Sequence, residues 1–243
     1  MSNQSWSIII FCFNEVGTVE QVVKKSVETL ENMGVSEYEV ILVDDGSTDG
    51  SREIVKNLPE IFPRLKLLFH DQNLGIGKAL RTGYFDSKYE NVCAVPADGQ
   101  FDLSELVPFV NIPERQIISF YRKENTTYSF FRNSLSKANK QINLWLNAFE
   151  LKDVNWVKIY KGAAIKQMNL EIESSLVESE ICAKFILQGY QILEVESKYL
   201  KRISGVSKGA SFKIVKQAFV DTLFLSRVLY RYRKAQRNLS LPN

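Results

Sequence analysis

The 243-residue chain has little cysteine, no long hydrophobic run and no large excess of charge, and each shortage closes off a class of protein. Cys12, Cys93 and Cys182 are odd in number and far apart, without the paired spacing of a zinc site, so buried free thiols in a reducing compartment are expected. No stretch reaches the roughly 20 apolar residues that span a bilayer. The longest candidate, Ala218 to Tyr230, is interrupted by Asp221 and Arg227. Met1 to Trp6 carry neither a basic flank nor a cleavable apolar core, so no secretory signal is expected. A formal net charge of +3 is too small for a nucleic-acid footprint, and no nucleic-acid partner is expected. With no internal repeat and no low-complexity linker, the chain is expected to build one α/β domain.

What is present is an alternation of short apolar runs and amphipathic segments, the pattern of a mostly parallel sheet flanked by helices. Ile8 to Phe13 reads as a buried strand. Thr18 and Gln21 form a capping-box signature, and Val19, Val22, Val23, Val27 and Leu30 recur at helical spacing. Val40–Val43, Leu65–Phe69 and Val92–Val95 repeat the strand. Each ends in a polar or glycine-rich cluster: Asn14–Gly17, Asp44–Asp49, Asp71–Gly77 and Asp98–Asp102. Ligands of open α/β sheets bind at the carboxyl ends of strands, so these clusters converge on one edge. The second half predicts a strand over 116–121, a long helix from Tyr128 to Phe149 and a short strand near Trp156 to Tyr160. A helix over 177–187, a strand from Gln191 and a final helix from Ser211 to Lys234 follow.

Asp44 and Asp45 follow a buried strand directly, where carboxylates need ligands or turn donors to satisfy them. The same residue types favour a tight turn and a helix cap, and the local sequence leaves both readings open. Asp98 and Gln100 alternate after the fourth strand, so both can offer oxygen to a hard divalent cation on a phosphate. Asn73-Leu74-Gly75-Ile76-Gly77 lacks the ending of a P-loop, since Lys78 is followed by Ala79, and reads as a helix start. After Asp221 the chain has Arg227, Arg231, Arg233, Lys234 and Arg237 and no acidic residue.

Phe13-Asn14-Glu15, Val43 to Ser51, Asn73 to Leu80 and Ala97 to Asp102 occur in an order that resembles the family-2 glycosyltransferases. The branch most similar is that of the dolichyl- and polyprenyl-phosphate sugar transferases, over residues 7 to 208. Tyr121-Arg122, Arg132 with Ser136, Asp153 to Trp156 and Arg202 to Lys208 resemble that branch's phosphate-binding positions. The resemblance implies a GT-A nucleotide-diphospho-sugar transferase fold over 1–210. It implies a UDP- or GDP-sugar donor met by Glu15, Asp44, Asp45, Gly75, Lys78, Ala97 and Asp98, and Mg²⁺ or Mn²⁺ on Asp98 and Gln100. Asp98, Arg122, Arg132, Ser136 and Arg202 would serve an inverting transfer to a polyprenyl phosphate. Two positions depart from the family: Pro96 stands where an aspartate is usual, which would weaken metal affinity, and Phe11 where a proline is usual.

A lipid phosphate needs no general base, whereas a saccharide hydroxyl would need one, with Glu180 or Asp102 as candidates. Transfer to a saccharide in cell-surface polysaccharide synthesis, and nucleotide-sugar binding without turnover, are the alternative readings. Phe212, Val215, Phe219, Leu223, Val228 and Leu229 mark an apolar side of the last segment, 211–243. That segment is expected either to pack on the same domain or to touch a membrane surface. The expected location is cytoplasmic, peripheral on the cytoplasmic face of the membrane.

Overall fold

The computed structural model describes residues 4–122, 151–202 and 212–240, and for 212–219, 239 and 240 the backbone alone. The helix expected from Tyr128 to Phe149 lies outside the described residues. Strands covered on both faces need no polar alternation, so contiguous apolar runs form them. β1 (Trp6–Cys12), β2 (Tyr38–Asp44) and β4 (Asn91–Pro96) are of this kind, while β3 (Leu65–Phe69) lies at an edge. β5 (Gln116–Arg122), β6 (Lys158–Lys161) and β7 (Gln191–Ser197) extend the sheet to seven strands in the order β3-β2-β1-β4-β6-β5-β7. Among the described strands, only β6 runs against its neighbours.

Residues of β1 alternate between two cores, because successive strand side chains point to opposite faces. Ile8 and Ile10 join Val19, Val22, Val23, Val27 and Leu30 of α1 (Val19–Asn32) on one face. Ile9 joins Leu80 and Tyr84 of α3 (Ile76–Asp86) on the other. That second core also takes Val177, Ile181 and Phe185 of α5 (Val177–Leu187), with Leu225 and Leu229 of α6 (Phe212–Ser240). The short helices α2 (Ser51–Asn57) and α4 (Gly162–Lys166) complete the described set.

The chain moves outward from β1 through β2 to β3, then returns to add β4 on the other flank of β1. This reversal opens a crevice at the carboxyl ends of β1 and β4, the usual ligand position in such sheets. Thr18 stands at the start of α1 but makes no side-chain cap. Its hydroxyl instead donates to the Ala97 carbonyl at 2.7 Å, tying the helix to the end of β4. The capping box read from Thr18 and Gln21 is therefore replaced by a tertiary bond. The two departures from the family pattern are neighbours: Phe11 and Pro96 are register partners in the β1–β4 pair.

Candidate active site

The loop after β1 and the acidic turn after β2 are joined along their lengths. Ser47 Oγ accepts from Asn14 N at 2.9 Å and Asn14 Oδ1 accepts from Thr48 N at 2.7 Å. Ser51 Oγ accepts from Glu15 N at 2.9 Å, and Asp49 accepts from Val16 N at 3.1 Å and from Ser51 N at 3.0 Å. Burial alone would push the Asp49 carboxyl up; the bonds from Ser51 and Val16 outweigh it, and it titrates below its ordinary value. Asn14 adopts φ +58 to make these bonds, a conformation asparagine tolerates better than most residues.

Asp44 accepts from Ser47 N at 3.3 Å and from Arg52 Nε at 2.7 Å. Asp45 Oδ1 accepts from Leu74 N at 2.9 Å and meets His70 Nδ1 at 2.7 Å, while its Oδ2 accepts from Gly75 N at 2.8 Å. Both carboxylates are buried, which the local sequence left open between ligand contact and turn formation. Their oxygens hold the turn and the loop that starts α3. Between them Gly46, at φ +73, lies so close to the 72–73 backbone that an added Cβ would stand 2.4 Å from the Gln72 carbonyl carbon.

Glu15, Asp98 and Arg202 meet at the crevice. An Arg202 guanidinium N–H donates to Glu15 Oε1, and the same nitrogen lies 3.4 Å from Asp98 Oδ2. Asp98 Oδ1 accepts from Gln100 N at 3.0 Å. Burial pushes the Asp98 carboxyl above its ordinary value, against the lowering pull of the Gln100 amide, Arg202 and Arg122. Gln100 turns elsewhere: its side-chain amide donates to Tyr199 Oη at 2.5 Å and to the Leu200 carbonyl at 3.4 Å. Ala97 is buried beneath Asp98, with its N–H bonded to the Phe11 carbonyl.

The structure therefore gathers Glu15, Asp98 and Arg202, and holds Asp44, Asp45 and Gly75 just behind them. Lys78, in the first turn of α3, is half-exposed and pairs with Glu173 at 3.1 Å. Arg122 forks onto Asp153, with Nε at 2.7 Å and a second nitrogen at 3.2 Å, and lies 4.5 Å from the Trp156 ring centre. Arg132 and Ser136 lie outside the described residues, as do Ile203 to Lys208. Glu180 is fully buried and its carboxylate is engaged, accepting from Ile172 N at 2.9 Å and from Lys184 Nζ at 2.6 Å. Asp102 uses its side chain to cap the following turn through Ser104 N at 3.1 Å. Sequence reasoning missed His70, Arg52 and Tyr199: His70 and Tyr199 closely follow the ends of β3 and β7, and Arg52 lies in the first turn of α2.

A divalent cation on a diphosphate takes one or two oxygens from the protein and the rest from the phosphates and water. Among the described residues, no group of three or more His, Cys, Asp and Glu side chains converges to hold a metal ion. Asp98 is already paired with a guanidinium, the Gln100 side-chain amide is engaged by Tyr199 and Leu200, and Pro96 contributes no side-chain oxygen, so the donor set does not fit one.

Residues 7–167 match the glycosyl transferase family 2. The chain belongs to that family. Among curated family-2 relatives is the undecaprenyl-phosphate 4-deoxy-4-formamido-L-arabinose transferase of Edwardsiella ictaluri, 24% identical over 213 residues. The alignment covers 86% of this chain and 64% of the relative. A dolichyl-phosphate beta-glucosyltransferase of Trichomonas vaginalis is 30% identical over 103 residues, 41% of this chain and 31% of that one. The chain thus spans less than two thirds of the length of either relative. The mannosyltransferase of Pyrobaculum calidifontis, solved with GDP-Man and Mn²⁺, superposes with a TM-score of 0.62 at 18% identity. That match covers 96% of this chain and 70% of the other, and the shared architecture is the GT-A fold. What is shared with these relatives is thus the family-2 domain, and the two named above are, by their names, transferases acting with undecaprenyl and dolichyl phosphate.

Proposed function

We propose that the protein transfers a sugar from a UDP- or GDP-sugar to a polyprenyl phosphate with inversion at the anomeric carbon. The observation that carries this reading is the meeting of Glu15, Asp98 and Arg202 at the crevice where β1 and β4 end. Glu15, with the loop that Asp44, Asp45, Gly75 and Lys78 build, takes the nucleoside end of the donor. Arg202, oriented by Asp98 above Ala97, takes the diphosphate end. Arg122, held rigid by Asp153, serves the acceptor phosphate together with Arg132 and Ser136.

In the transfer, an acceptor phosphate oxygen attacks the anomeric carbon from the face opposite the diphosphate. The new carbon–oxygen bond forms as the bond to the β-phosphate breaks, and the nucleoside diphosphate leaves with the electron pair. A phosphate monoester is ionised at neutral pH, so no proton needs removal from the nucleophile. This suits the site, because the two carboxylates considered as bases are committed elsewhere: Glu180 is buried against Lys184 and Asp102 caps a turn. Arginine N–H groups fixed near the leaving diphosphate stabilise its growing charge without reorganising.

The test is incubation of the protein with radiolabelled UDP- and GDP-sugars and a short polyprenyl phosphate, followed by lipid extraction. Label in the organic phase is the expected result. Label only on added saccharide would replace the lipid by a hydroxyl acceptor, and nucleotide binding with no transfer at all would make the chain a binding protein.

A further inference from the structure

Residues 198–202 cross in front of the carboxyl end of β4 and are fastened there. Phe101 and Tyr199 form an antiparallel bridge, Leu200 N donates to the Gln100 carbonyl at 3.0 Å, and the Gln100 side chain donates to Tyr199 Oη and the Leu200 carbonyl. Upstream, Lys198 N donates to Glu105 Oε1 at 2.7 Å. Tyr199 packs on Trp156 with ring centres 5.7 Å apart. The fastening delivers Arg202 between Glu15 and Asp98. Its side chain is 24% exposed, and Arg202 Nε is buried without a hydrogen-bond partner among the described residues. A buried N–H of this kind is costly unless a ligand oxygen completes it.

Resting on the donor reading above, we propose that Arg202 takes the place of a divalent cation in binding the donor's diphosphate, so that donor binding is independent of metal. Each part of the usual oxygen set has been turned to another use. Pro96 has no side-chain oxygen and packs in register with Phe11. Gln100 is a fastener for the strap, and Asp98 is the counter-ion of a guanidinium 3.4 Å away. A doubly charged ion brought to Asp98 would meet that guanidinium at contact distance, in a partly buried place where like charges are poorly screened. The guanidinium instead offers paired N–H groups, a geometry matched to phosphate oxygens. Sequence alone adds little that could restore a metal site: the undescribed stretches 123–150 and 203–211 contain only Glu124 and Glu150 as acidic residues.

Calorimetric titration of the full chain with UDP and with GDP, in EDTA and in Mn²⁺, tests this. For whichever nucleotide binds, the expected dissociation constants in the two buffers agree within about two-fold. Arg202→Met should weaken binding in EDTA by about ten-fold or more, the scale of one charge-assisted hydrogen bond. Pro96→Asp, which supplies a carboxylate beside Asp98, should make Mn²⁺ tighten binding by about ten-fold, where it does nothing for the natural chain. Wild-type binding that EDTA weakens ten-fold or more overturns the proposal while leaving the donor reading intact. Absence of binding by both nucleotides in both buffers overturns the donor reading and this proposal with it. The wild-type comparison decides the matter even if a variant fails to fold.

Discussion

Asp44 and Asp45 could be read from the local sequence as ligand contacts or as turn formers, and in the structure they, like Asp49, spend oxygens on backbone N–H groups of the surrounding turns. The consequence is a division of labour within a few residues: the turn positions, and Glu15, Asp98 and Arg202 face the crevice. Asp45→Asn tests the positioning half. An amide cannot accept from Leu74 N, Gly75 N and His70 together, so at least one buried donor loses its partner. The expected loss is about 1–3 kcal/mol of unfolding free energy in urea, and a change under about 0.5 kcal/mol would contradict this account. The thiols make a second residue-level case. Burial, with help from Asp44, pushes Cys12 up to about 12, and burial pushes Cys182 up to about 11. Cys93 is raised as well, by burial. Thiolate is the reactive form, so at pH 8 the native protein should leave all three thiols unlabelled by Ellman's reagent, and denaturant should release them. Rapid labelling of any one in the native protein would mean that its burial is transient.

At the scale of elements, the sequence was most readable where structure depends on local repetition. β1, β2 and β4 are contiguous apolar runs because both sheet faces are covered, and α1 shows its buried stripe plainly. The edge order of strands and the crevice between β1 and β4 could be anticipated only as four converging clusters. What stayed hidden depends on pairs far apart in the chain: Thr18 with Ala97, Arg122 with Asp153, Phe11 with Pro96, Gln100 with Tyr199. α5 is the sharpest example, since Val177 to Phe185 are buried on every side and Glu178, Glu180 and Lys184 go in with them. Its charged residues suggest a solvent face that does not exist. Glu180 pins the 171–172 backbone and neutralises Lys184, so Glu180→Ala would leave a buried ammonium without its carboxylate. Breaking one side of a buried pair costs about 3–5 kcal/mol, and chemical denaturation should register a loss on that scale. Turnover per folded molecule should be unchanged. A variant that keeps its stability but loses transfer would restore Glu180 to the reaction.

At the scale of the whole molecule, α6 packs one side on the domain and leaves another side exposed. The expected apolar side included Leu223, Val228 and Leu229 together, but the structure splits them: Leu225, Val228 and Leu229 are buried against the domain, and Leu223 points out with Val220, Phe224 and Tyr230. Phe212, Val215 and Phe219 lie outside the described side chains. No helix of the described residues is long and apolar enough to cross a membrane. An outward apolar strip beside Arg227, Lys234 and other basic residues suits the interface of an anionic bilayer, where each basic residue adds about 1 kcal/mol of attraction. We propose this surface contact as the route to a lipid acceptor. Truncating α6 would be a poor test, because it would strip Leu225, Val228 and Leu229 from the core. Leu223→Asp with Phe224→Asp changes only exposed side chains and leaves the inner face in place. The natural chain should float with vesicles containing phosphatidylglycerol and be released as salt is raised, since screening shortens the reach of the basic residues. The double variant should remain in the soluble fraction with an unaltered melting transition. Equal flotation of the two proteins would remove α6 from the membrane contact and send the search to another face of the domain.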